Sequence, residues 1–130
     1  MGACASTGDR RYEPFRAASV IDADARWRAA RALVAHDGWQ PEWTDAKART
    51  VAAVRPWEQG LTRERVTITV RDDATVVDLR IELREGSVWV GSDTVCGTYD
   101  SARERDLAHR IDVAAARGRR YAGDTPGPTP

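Results

Sequence analysis

Val66-Thr67-Ile68-Thr69-Val70 and Val77-Asp78-Leu79-Arg80-Ile81-Glu82-Leu83-Arg84 decide the fold, because apolar and polar residues alternate along both segments. A period of two sends Val66, Ile68, Val70, Val77, Leu79, Ile81 and Leu83 to one side of a sheet. Thr67, Thr69, Asp78, Arg80, Glu82 and Arg84 go to the other. Asp72-Asp73-Ala74 and Glu85-Gly86 supply the turns, with Gly86 able to take the positive φ of a tight hairpin, and Val88-Trp89-Val90 makes a third strand. Connections this short predict a three-stranded antiparallel meander with one dry face.

Helical spacing flanks the meander on both sides. Val20, Ala23, Trp27, Ala30 and Val34 form one apolar stripe, with Ser19 as the expected N-cap, Asp22 and Asp24 near the positive end and Gly38 just past the stop. A shorter helix is expected from the Thr44 cap to just before Pro56, with Ala48, Val51, Ala52 and Val54 inward, although Thr50 to Val54 is also short enough to be a strand. Ser101-Ala102-Arg103-Glu104 has the form of a capping box, after which Leu107, Ile111, Ala114 and Ala115 line a last helix ended by Gly118. The expected class is α+β: two N-terminal helices, a three-stranded antiparallel meander and a C-terminal helix, with the helices on one sheet face. One domain over residues 17–121 is expected, between a flexible tether at 1–16 and a disordered Pro/Gly tail at 122–130.

The 130 residues suffice for one core without a structural metal or disulfides. Lys plus Arg and Asp plus Glu number 20 each, so the whole-chain attraction that nonspecific nucleic-acid binders use is missing. Nineteen of the basic residues are Arg and Ala occurs 21 times, a bias that reads as GC-rich coding and a bacterial origin. No run of about 18 apolar residues occurs, and no segment reads as a spanning helix.

Met1-Gly2-Ala3-Cys4 bears on location. Gly2-Ala3-Cys4 resembles the end of a bacterial lipobox over three or four positions, which implies lipidation of Cys4 and a cell-envelope lipoprotein. The basic and apolar segment that precedes a complete lipobox is not part of this sequence. Met1 to Ser6 also matches the eukaryotic myristoylation pattern, with Gly2 as acceptor, and the Arg and Ala bias argues against it. The expected location is the envelope if Cys4 is acylated and the cytoplasm otherwise, with membrane contact only through that lipid.

Chemistry-bearing motifs are sparse. His36, His109, Cys96 and scattered carboxylates have no metal-ligand spacing, and no metal or cofactor is expected. His36 suits a helix C-terminus and His109 an exposed helix position. Asp93 and Asp100 beside Cys96 would raise a thiol pKa, which disfavours a nucleophile, and a Cys4–Cys96 disulfide is an option for an exported, unlipidated form. Neither a G-x-S-x-G context nor a phosphate-cradling glycine loop occurs, so no catalytic residue is assigned.

The unusual feature is aromatic. Trp39, Trp43 and Trp57 bracket the expected second helix, with Pro41 and Pro56 stiffening the approach, and flat indoles on rigid loops can stack on sugars, peptides or lipid headgroups. These three residues are the candidate binding site. The competing reading packs Trp39 and Trp57 between helices and sheet, with Trp43 stapling the helix. The Asp78, Arg80, Glu82, Arg84 stripe reads either as a protein-binding face or as a solvated face of cross-strand ion pairs.

The order of elements from Thr44 to Arg117 resembles a double-stranded-RNA-binding domain over about half the chain, with Ser101-Ala102-Arg103 at the start of the phosphate-contacting helix. Where that family carries lysines, Ala102, Glu104 and Asp106 interrupt the basic residues here. The functional expectation is a small non-enzymatic domain that binds a protein or cell-wall component. The alternatives are a cytoplasmic nucleic-acid-binding domain of helix, three strands, helix topology, or an enzyme without a recognisable motif.

Overall fold

A computed structural model describes residues 13–36, 38–56, 61–91 and 101–124. The elements are β1 (Phe15–Ala18), α1 (Ala23–His36), β2 (Gln40–Asp45), β3 (Thr50–Pro56), β4 (Thr62–Val70), β5 (Ala74–Glu85), β6 (Val88–Gly91) and α2 (Ser101–Asp124). The class is α+β, dominated by a six-stranded antiparallel sheet of order β1-β5-β4-β3-β2, with β6 also pairing with β5. Since β4 holds one edge of β5, β1 and β6 share the other, β1 opposite residues 74–77 and β6 opposite 82–85.

This corrects the expected two N-terminal helices, three-stranded meander and C-terminal helix. The meander exists as β4, β5 and β6, with Val66 opposite Leu79 and Ile68 opposite Val77. The expected second helix is instead the β2–β3 hairpin. Its turn is closed by Asp45 Oδ1, which accepts from the Lys47 and Ala48 amides at 3.1 Å each, and by Arg49 at φ 49°. Val51, Ala52, Ala53 and Val54 are all buried, because β3 lies between β2 and β4 and is covered on both faces. A strand buried on both faces reads as a continuous apolar run, and its alanines imitate a helix. With β-strands there, the helix, three strands, helix order of the RNA-binding family is not formed. β1, a fourth addition to the meander, starts at Phe15, within the segment expected as tether.

The apolar alternation and the two helical stripes meet in one core. Trp27, Ala30 and Val34 of α1, and Leu107, Ala108 and Ile111 of α2, pack with Val51, Val66, Ile68, Val77 and Leu79 on one side of the sheet. Val20, expected in the α1 stripe, precedes the helix and is fully exposed. The cap of α1 is Asp22, whose Oδ2 accepts from Ala25 N at 3.0 Å. Ser19, the expected cap, accepts from Ile21 N and donates its hydroxyl to Asp112 of α2. In α2, Glu104, expected in a capping box, carries a long-range role: Glu104 Oε2 accepts the Leu79 amide at 2.8 Å, in the stretch of the β5 edge between β1 and β6. The helix continues through Gly118 to Asp124.

Arg26 is fully buried at a core position of α1. Its guanidinium donates to the carbonyls of Ile21, Ala74, Arg71 and Asp72 and to Thr75 Oγ1 at 2.8–3.1 Å, which uses all five of its N–H groups. One cation thus ties the start of α1 to the β4–β5 turn. Substituting Arg26 by Met removes all five bonds of a fully buried cation that ties α1 to the β4–β5 turn, and urea unfolding should show a loss of about 3–5 kcal/mol. A loss under about 1 kcal/mol would mean that water or another donor replaces it.

Candidate binding face

Both helices lie on one side of the sheet, and among the described residues no element covers the other. The same alternation that buries Val66 and Leu79 sends Arg63, Arg65, Thr67 and Thr69 of β4, and Asp78, Arg80, Glu82 and Arg84 of β5, to the helix-free face. Register sets Arg63 opposite Glu82 and Arg65 opposite Arg80. Glu82, 9% exposed, accepts from Arg63 Nε at 2.7 Å and from Arg65 Nε at 3.0 Å, so a single carboxylate bridges two arginines of the neighbouring strand.

Arg65 extends the network across β3, its Nη1 donating to Glu42 Oε1 on β2. Under this span lie Ala52 and Val54, which stand on the helix-free face and are nonetheless buried. Burial pulls the Arg65 pKa down, but the hydrogen bonds and charges of Glu42 and Glu82 outweigh it and hold the guanidinium above its ordinary value. Arg63 also lies over Trp89 of β6, 4.3 Å from the ring centroid. Arg80 pairs with Asp78 on its own strand through two bonds of 3.1 and 3.2 Å. Four strands, β2, β4, β5 and β6, thereby share one linked layer of side chains over the open face.

The candidate tryptophans separate. Trp39 is 5% exposed, in the core, with Arg55 Cζ 4.4 Å from its ring centroid. Trp43 is 48% exposed on edge strand β2, opposite Ala52 beside a register irregularity at Pro41/Trp43. Trp57, Cys4 and Cys96 lie outside the described residues. Glu42, Arg63, Arg65 and Trp89 were not singled out from sequence. The available signal was Arg63-Glu64-Arg65 continuing the alternation of β4, which predicts two arginines on the wet face opposite the β5 stripe.

The same run places Glu64 on the helix side, 1% exposed. Arg55 Nε and Nη2 donate to Glu64 Oε1 at 3.1 and 2.8 Å, and Arg103 of α2 pairs with Oε2. Burial and the nearby Arg55 charge lower the Arg103 pKa, partly offset by Asp106. This buried cluster locks α2 to β3 and β4. Among the described residues no three His, Cys, Asp or Glu converge as a metal site, and His36 and His109 are both exposed. No helix among them is long and apolar enough to cross a membrane. No protein-family model matches the chain, and the search of curated proteins gives no significant match.

The bridging role of Glu82 can be separated from surface pairing. Glu82→Gln should cost about 2 kcal/mol in denaturant unfolding and change the Trp89 emission, since it weakens the hold on both arginines. Arg16→Ala, at the exposed pair with Asp73, should stay within about 0.5 kcal/mol of wild type. Equal small losses for the two variants would show that the linked layer adds nothing to a set of surface pairs.

Proposed function

We propose that this chain is a small binding domain, non-enzymatic, that takes a protein or cell-wall component on the helix-free face of its sheet. The observation that carries the reading is the placement of a half-exposed Trp43 at the rim of an interlocked layer of Glu42, Arg65, Glu82 and Arg63. Side chains fixed by mutual ion pairs lose little further rotamer freedom on binding, which favours recognition by a preformed surface. Trp43 supplies a large apolar contact with two rotatable bonds, suited to stacking on a sugar ring or filling a pocket in a protein. The carboxylates of this face hold arginines, an arrangement better suited to positioning than to proton transfer. A lipid on Cys4 would place the domain at the cell envelope.

A photoreactive amino acid at position 80, on the open face, should give discrete adducts in cells of the native host, and adding Trp43→Ala should reduce them at least about tenfold, as expected of an aromatic anchor. The same probe at position 28, on the outer side of α1, should not give those adducts. Adduct yields at position 80 that are unaffected by Trp43→Ala would contradict the reading.

A further inference from the structure

The two outer surfaces of the molecule handle charge in opposite ways. On the sheet side, most arginines are matched to carboxylates: Arg16 to Asp73, Arg63 to Glu82, Arg65 to Glu42 and Glu82, and Arg80 to Asp78, while Arg84 donates to the Gly86 carbonyl. On the helix side, Arg28 and Arg31 of α1 and Arg105, Arg110 and Arg117 of α2 are exposed, against exposed Asp22, Asp24 and Asp106 and half-buried Asp112. Asp24 is drawn off by Arg49 at 2.9 Å. Among the described residues Arg28, Arg31, Arg105 and Arg117 form no ion pair. A chain of zero formal net charge therefore carries a positive helical surface.

The surface between the arginines is small and apolar. α1 and α2 lie side by side, and a shallow groove of about 470 Å³ runs between them, lined by Ala29, Ala32 and Leu33 on one helix and by Val113 and Ala114 together with the polar His109, Arg110 and Arg117 on the other. Exposed Ala32, Ala35, Ala102 and Ala114 are too short to stand between the guanidinium groups and a flat surface. Arg31 and Arg105 are braced from below by Trp27 and Phe15, at 5.7 and 5.5 Å from the ring centroids.

We infer that the α1–α2 surface docks on an anionic membrane, the arginines taking lipid phosphates and the groove resting at the headgroup level. This goes beyond the partner-binding reading, which concerns the opposite side of the sheet, and would leave that side facing away from the bilayer. Charge complementarity selects an anionic partner, and shape selects among anionic partners. Sequence reading of duplex nucleic acid needs an element that enters a groove, whereas two adjacent helices with alanines between their arginines present a broad face. Polybasic surfaces gain from each arginine near an anionic leaflet, and the gain is screened by salt.

The test is vesicle flotation of the purified, unacylated full chain, with about 30% phosphatidylglycerol in phosphatidylcholine as the anionic surface. The protein should float with these vesicles, fail to float with pure phosphatidylcholine, and release as salt rises. Arg28→Glu/Arg110→Glu/Arg117→Glu should weaken partitioning at least about 100-fold, and the Gln triple variant, which guards against a folding defect from charge reversal, about 30-fold or more. Arg80→Glu/Arg84→Glu on the sheet side should stay within about threefold. Undiminished flotation of the folded Gln variant, absence of flotation by the wild type, or tighter binding to a short duplex than to the vesicles would overturn the inference.

Discussion

The outer edge of β5 is the constraint on which the other elements depend. β5 has twelve residues, and β4 satisfies one of its edges from Thr75 to Leu83. Buried amides on the other edge must also find acceptors, since a lost hydrogen bond there costs the full desolvation of the group. Two short strands divide the work, β1 at the start and β6 at the end, and the Leu79 amide between them is taken by the Glu104 carboxylate at 2.8 Å. Glu104 is 1% exposed, so α2 brings a charge into the core to close the gap. A carboxylate accepting from a backbone amide makes a short, charge-assisted bond with a fixed direction, which sets the position of α2 more narrowly than Leu107 and Ile111 could alone.

Arg26 does the corresponding work for α1, with donors to Ile21, Arg71, Asp72 and Ala74 carbonyls, and Glu64 with Arg55 and Arg103 ties α2 to β3 and β4. Three buried ionic side chains therefore hold both helices on the same face. The opposite face is left to side chains alone, and there Glu82 and Glu42 gather Arg63 and Arg65 into a layer that shields Ala52 and Val54. The proposed division of labour follows from this asymmetry: a sheet face where most arginines are paired and Trp43 is half-exposed, and a helix face where Arg28, Arg31, Arg105 and Arg117 form no ion pair among the described residues.

How much of this was legible in the sequence depends on how local each signal is. Alternation from Val66 to Arg84 fixes β4, β5 and their inward residues, and the Ala23, Trp27, Ala30, Val34 spacing fixes the buried side of α1. Thr50 to Val54 carried two signals, and the helical one prevailed because Ala46, Ala48, Ala52 and Ala53 have high helix propensity, whereas the strand depends on β2 and β4 on either side. β1 has only four residues, too few for periodicity to mark. Glu104 matched a local capping pattern, and its bond to an amide 25 residues away had no local signal. The binding stripe Asp78, Arg80, Glu82, Arg84 was readable as a wet face, but the roles of Glu42 and Trp89 depend on strand neighbours that only the assembled sheet supplies. Trp39 and Trp43, four residues apart, differ for the same reason: one faces the Arg55 side chain inside, the other stands at the sheet edge.

Amide hydrogen exchange at Leu79 tests the central constraint most directly. If Glu104 completes the β5 edge, the Leu79 amide exchanges within about tenfold of the strand-paired amides of β4 although no strand among the described residues faces it, and Glu104→Ala accelerates Leu79 selectively by about 100-fold or more while β4 stays protected. Exchange of Leu79 at the rate of an open loop in the wild-type protein, or protection unchanged by Glu104→Ala, would contradict the account.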